Sequence, residues 1–290
     1  MLQEAVDDFV TSIANGEMER SGGSRNTIMA YRNDLGQLCS YIRALGITSW
    51  LHVTREHIAD YVQQLREAQV YRPTTIARKL AAYKSFFRYL CQKGLVTRDP
   101  SLGVLLPPVE RGLPQIMNAE QVQTLFQLAD RDTPMGVRDL AMLHLLYATG
   151  IRASELVSLN VDHFCAQDAA IKCVGVRGNV RFLPLTSVAM DVLELYLLRG
   201  RPRFIRHASE EALFVNHHGE RLTRQGFWLI IKGYARRAGI EDLTPHKLRH
   251  AFAMHMLDSG MDLGSVQELL GHAHISTTQF YCQLVSAQPK

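Results

Sequence analysis

Apolar residues recur at three- and four-residue steps through most of this chain. In "NTIMAYRNDLGQLCSYIRAL" the positions Ile28, Tyr31, Leu35, Leu38 and Ile42 form one face of a helix. "PTTIARKLAAYKSFFRYLCQKG" repeats the pattern with Ile76, Leu80, Tyr83, Phe87 and Leu90; Pro73 suits its first turn and Gly94 its C-terminal stop. The periodicity breaks at "LLPPVERGLP", Leu105–Pro114, whose prolines and glycine cannot continue a helix and read as a linker. Beyond it, Asn118 with Gln121 three residues on predicts a capped helix start, and helical patterns run to Tyr147. One segment switches to β character. "AIKCVGVRGNVRFLPL" is rich in β-branched residues around the turn pair Gly178-Asn179, and "ALFVNHHGERLT" predicts a third short strand. After Thr223 the chain reads as helices stopped at Gly239, Gly260 and Gly271, with Ser276 as the cap of the last.

The 290 residues suffice for about two domains, and a 47 % hydrophobic content excludes a disordered chain. No apolar run is long enough to span a bilayer, and the acidic N-terminus lacks the order of a signal peptide, so a soluble, cytoplasmic protein is expected. Five scattered cysteines contain no CxxC pair, which argues against a disulfide framework or a thiolate zinc site. The net charge of +4 says little, but its distribution says more. No acid lies between Glu67 and Asp99, a stretch holding Arg72, Arg78, Lys79, Lys84 and Arg88. None lies between Glu220 and Glu241, where Arg224 sits. Such segments suit a polyanion touched twice, or two ordinary solvated helix faces.

The densest chemistry is "HKLRH", residues 246–250, behind Thr244-Pro245, a good cap and first helical residue. His246 and Arg249 share a face of that helix, with Lys247 beside them; Ala251, Met254 and Leu257 face the core. A metal would need a carboxylate or thiolate that the motif lacks, and Lys247 and Arg249 would repel it. A phosphate suits an arginine fork and a proton-sharing histidine better. "YATGIRASELVSLN" puts Arg152 at a helix start, unfavourable for a cation unless an anion is bound or Glu155 pairs with it. "LLGHAHISTTQFYCQL" sets His272 after a helix-stopping glycine and Tyr281 in the last helix.

"ATGIRASEL", "HKLRHAFAMHML" and "LLGHAHISTTQFY" resemble, in order and spacing, the motifs of the tyrosine site-specific recombinases (phage integrase family). "YRPTTIARKLAAYKSFFRYL", "RGLP" and "GERLTRQGFW" are similar to its bacterial Xer-type branch. The resemblance implies a mainly α fold with a small antiparallel β-sheet. A helical, SAM-like DNA-binding domain would occupy residues 1–106, a linker 107–114, and a mixed α+β catalytic domain 115–290, the two domains clamping a duplex. It implies catalytic positions at Arg152, His246, Arg249, His272 and Tyr281. It also implies DNA contacts from Arg72, Arg78, Lys79, Lys84, Arg88, Arg224 and Lys247, and no cofactor or metal. Expected partners are double-stranded DNA bearing recombination sites, a homotetramer on synapsed DNA, and a second recombinase or accessory protein. One position departs from the pattern. The family's hairpin-turn lysine, the acid for the leaving 5′-oxygen, is replaced in "GVRGN" by Arg177, which holds its proton too tightly for that task; Lys172 is the nearby alternative. A DNA-binding protein that keeps the fold without cutting is the rival reading.

Overall fold

The computed structural model describes residues 2–16, 25–106, 117–175, 178–207, 209–272 and 274–286, with the backbone alone at Arg25 and at 283–286. The chain forms two compact units, Met1–Gly112 and Leu113–Lys290.

The described part of the first unit is helical throughout: α1 (Leu2–Ala14), α2 (Arg25–Ala44), α3 (Arg55–Glu67) and α4 (Pro73–Gln92). Its core takes the apolar stripe of each helix, with Phe9, Leu35, Leu38, Tyr83, Phe86 and Phe87 fully buried. Pro73 opens α4, and Gly94 follows it at φ +68°, the left-handed conformation that stops a helix. The same core holds an ion cluster. Asp34 on α2 accepts from Lys79 Nζ at 2.9 Å and pairs with Arg78, both on α4; Lys79 also donates to Gln37 at 2.6 Å. The Lys79 side chain is only 1 % exposed. This corrects its place among the DNA-contacting residues. Four residues after Thr75 on the inward face, its ammonium is spent on a buried carboxylate and has no route to a phosphate.

The second unit comprises α5 (Ala119–Gln127), α6 (Pro134–Thr149), α7 (Ala153–Ser158), β1 (Phe164–Cys165), β2 (Ala170–Val174), β3 (Val180–Pro184), α8 (Ser187–Leu195), α9 (Arg224–Ala238), α10 (Pro245–Asp258), α11 (Leu263–Leu270) and α12 (Ile275–Ser286). Asn118 and Gln121 exchange both bonds of a capping box at the start of α5. The strands form an antiparallel sheet in the order β1-β2-β3, with Lys172 opposite Phe182 and Cys173 opposite Arg181. Ile171, Cys173 and Leu183 face the core, while Val174, Val180 and Phe182 are exposed, so Arg181 points inward and Lys172 outward.

Two local expectations fail. The third strand is Phe164–Cys165. "ALFVNHHGERLT" makes only isolated bridges, Asn160 with Ala212 and Val215 with Arg221, although Leu213, Phe214 and Val215 are all fully buried. The last helix starts at Ile275, which puts Ser276 inside it rather than at its cap. Among the described residues no helix is long and apolar enough to cross a membrane.

Candidate active site

The site is built around the C-terminal end of α11. Thr244 caps α10, its Oγ1 accepting from the Lys247 N–H at 3.2 Å, and Pro245 opens the helix. Arg249, one turn on, is 4 % exposed. It donates to Gly150 O at the end of α6 and, at 2.6 Å, to Leu270 O at the end of α11. Gly150 permits this meeting. It stands at φ +60°, and a Cβ there would lie 2.3 Å from the Phe252 ring. Arg152, the N-cap of α7, donates to Gly271 O at 2.7 Å and to Glu155 Oε1 at 3.0 Å. Arg181 Nε donates to Leu269 O at 3.1 Å. Three consecutive carbonyls at the negative end of the α11 dipole therefore each hold one guanidinium.

Glu155 is the acid among them and is 3 % exposed. Burial alone would raise its pKa, but hydrogen bonds from Arg181 and from the Arg152 N–H overrule that and hold it down at about 2. Burial and the charge of Arg152 pull Arg249 down to about 10, which leaves it a cation at neutral pH. Burial, then Arg249 and Arg152, push His272 down to about 4. Burial, His246 and Arg249 do the same to His250, and partial desolvation with the charge of Arg249 lowers His246, which is exposed on one side. The histidines are therefore neutral at pH 7 and keep an acceptor lone pair. The cluster retains an excess of fixed positive charge, which suits an anion.

Tyr281 on α12 is 2 % exposed and packs with Phe252, Met254, Val266 and Leu270. Its ring lies 5.1 Å from His250 and 6.3 Å from His272, nearly parallel to the latter; His250 lies 4.1 Å from His246. Burial raises the phenol, and Arg249 opposes this. His272 is oriented by a 2.9 Å contact between Nδ1 and Oγ1 of the buried Thr278. A cleft of about 640 Å³ opens beside the cluster, lined by Arg152, Gly175, Asn179, Arg181, Gly271 and His272.

Five sequence-derived candidates thus converge: Arg152, His246, Arg249, His272 and Tyr281. Arg177 lies outside the described residues. Lys172 stands on the face of the sheet opposite Arg181 and so turns away from the cluster. Of the basic residues, Arg72, Arg88 and Arg224 are exposed, Lys84 and Lys247 half-buried, and the Arg78 side chain 43 % exposed beside Asp34. In the second basic segment Arg221 and Arg237 are spent on backbone carbonyls within the unit. Lys232 lies 5.5 Å over the ring of the exposed Trp228. Sequence reading missed Arg181. The signal was present in "VRFLP": an arginine at an inward position of an alternating strand needs a buried acid.

Residues 115–287 match the phage integrase family, and residues 18–94 match the phage integrase N-terminal SAM-like domain. The chain is 47 % identical over 286 residues to a tyrosine recombinase XerC of Roseiflexus castenholzii, covering 98 % of this chain and 90 % of the relative. It is 41 % identical over 292 residues to a tyrosine recombinase XerD of Listeria monocytogenes, covering 100 % and 97 %. Among solved structures, the Tn1549 transposon integrase in complex with a circular intermediate DNA shares the fold, with a TM-score of 0.76 at 17 % identity over 96 % of this chain and 94 % of that one. Matches of this extent to both halves of the sequence make the chain a member of the phage integrase family, the tyrosine recombinases.

Proposed function

We propose that this enzyme is a site-specific DNA recombinase whose nucleophile is Tyr281. Rejoining DNA without an outside energy source requires the phosphoester to be conserved, and a covalent link to the enzyme conserves it. The Tyr281 oxygen attacks the scissile phosphorus and the bond to the 5′-oxygen breaks. The 3′-phosphate stays on the tyrosine until a 5′-hydroxyl from the exchanging strand displaces it, through a Holliday junction. His246, neutral at pH 7, accepts the phenolic proton. Arg152 and Arg249 stabilise charge on the non-bridging oxygens, and His272 adds a further donor. Arg177 is the candidate cation for the leaving oxygen, which takes its proton from water to become the 5′-hydroxyl. Arg72, Arg88 and Arg224 supply sequence-independent phosphate contacts to duplex DNA.

The observation that carries this reading is the convergence of Arg152 and Arg249 on adjacent carbonyls beside the rings of His272 and Tyr281. A nicked substrate that traps cleaved strands tests it. Wild type should form a covalent adduct; Tyr281→Phe should bind DNA equally and form none. An adduct that survives the substitution moves the nucleophile elsewhere, and a wild type that binds without an adduct favours the non-cutting rival.

A further inference from the structure

Arg181 is the one guanidinium of the cluster that no catalytic assignment uses, yet it makes the most complete set of bonds. Nη1 donates to Glu155 Oε1 at 3.0 Å, Nη2 to Glu155 Oε2 at 2.8 Å, and Nε to Leu269 O at 3.1 Å. Each Glu155 oxygen is thereby shared: Oε1 also accepts from Arg152 Nη1 at 3.0 Å and Oε2 from the Arg152 N–H at 2.9 Å. Gly271 is fitted to the same group. At φ +62° it takes a left-handed turn, and a Cβ there would lie 3.1 Å from the Arg181 guanidinium carbon.

The charge arithmetic gives this arrangement a purpose. Glu155 carries one negative charge and is itself sealed from water, although Arg152 beside it borders the cleft. With Arg181 bidentate on it, that charge is matched, and Arg152 need give it only one side-chain N–H. Its second terminal nitrogen stays on Gly271 O, on the side of His272. Without Arg181 the buried carboxylate would face Arg152 alone. A bidentate pair would then be the stronger arrangement, and it would turn the fork away from Gly271 and neutralise it.

We propose that Arg181 is a positioning residue: it neutralises Glu155 and so leaves Arg152 aimed and charged for the scissile phosphate. The role rests on the recombinase reading above. It also ties β3 to the end of α11.

The test uses the full-length protein with Arg181→Ala, Arg181→Lys and Arg181→Ala/Glu155→Gln. On the nicked substrate, Arg181→Ala should form adduct about 30-fold more slowly, short of the 10²–10³ expected of losing a direct donor. Its DNA affinity should stay within about threefold. Arg181→Lys, which keeps the charge, should recover part of the rate. The double variant should be faster than Arg181→Ala, because removing the unmatched carboxylate frees Arg152. A methylphosphonate at the scissile position, which removes one oxygen charge, should shrink the gap between wild type and Arg181→Ala to below about fivefold. A loss that is equal on both substrates and deepened by Glu155→Gln would mark a merely structural residue and overturn the proposal; so would an unimpaired Arg181→Ala.

A second readout does not depend on cleavage. In ¹⁵N spectra of the free protein, the Arg152 guanidinium should show hindered rotation in wild type and a changed environment in Arg181→Ala. An unchanged Arg152 signal overturns the positioning role even if the recombinase reading stands. A wild type that fails to cleave overturns the recombinase reading while the spectrum still decides whether Arg181 holds Arg152.

Discussion

At the scale of single residues, burial decides what a charge can do. Lys79 and Lys84 lie five apart on one helix and read alike in sequence, but the first is sealed onto Asp34 and the second is half-buried. Lys79→Ala should cost about 1.5–3 kcal/mol of stability, because it removes one of the two cationic partners of a buried carboxylate and leaves Arg78. The salt dependence of DNA binding should not change. Lys84→Ala with Arg88→Ala should leave the melting temperature nearly unchanged and lower the salt slope by about one per lost phosphate contact. Urea melts and binding titrations from low to high salt separate the two, and a slope change in Lys79→Ala would overturn the correction. The lowered histidines give a pH signature. His144, His250 and His272 sit at about 4 in the folded protein, against about 6.5 for an ordinary histidine. Between those values the unfolded chain binds more protons. The stability they contribute is therefore complete above pH 6.5 and is lost as the pH falls toward 4. Glu155, held at about 2, contributes stability that is complete above the ordinary carboxylate range and is lost as the pH falls through about 2. Thermal midpoints should be level above pH 7 and begin to fall near 6.5, before ordinary carboxylates titrate. A level midpoint down to pH 5 would contradict the buried, neutral histidines.

At the scale of elements, what was legible in the sequence was periodic. The stripes of α2 and α4, the Asn118–Gln121 box and the Thr244-Pro245 start of α10 each follow from a local rule, and each appears in the structure. What was not legible depended on tertiary burial. Residues 213–215 look like a strand, but all three are buried and they pair only by bridges. The inward turn of Arg181 has meaning only once Glu155 is known to lie beneath it. The catalytic candidates were legible as motifs, but the meeting of Arg249 and Arg152 on carbonyls 270 and 271 was not, since a backbone acceptor leaves no mark in sequence. Gly150 shows how tightly the elements meet there. Gly150→Ala adds strain at a positive φ and drives a Cβ into Phe252, and should cost about 2–6 kcal/mol and displace Arg249. Gly94→Ala, at φ +68° with nothing within 4 Å, should cost only about 1 kcal/mol. Equal losses at the two sites would mean that the packing around Gly150 is looser than the structure has it.

At the scale of the whole molecule, the proposed mechanism gives each chain one nucleophile, whereas exchanging two duplexes requires four strands to be cut and rejoined. Each protomer of such an assembly supplies its own Tyr281, since the ring packs against α10 and α11 of the same chain. We therefore expect four protomers on synapsed DNA, two cutting at a time, so that no duplex is severed on both strands at once. On this reading DNA drives assembly by binding protomers side by side on neighbouring phosphates. The protein should accordingly sediment as a monomer when free, as a dimer on one recombination site, and as a tetramer only when two sites are present. Raising the salt should dissolve the tetramer together with the DNA complex rather than leave a protein tetramer behind. A stable tetramer without DNA would show that protein contacts alone suffice. A tetramer formed equally well on a duplex lacking a recombination site would show that the phosphate backbone, and not the site, directs assembly.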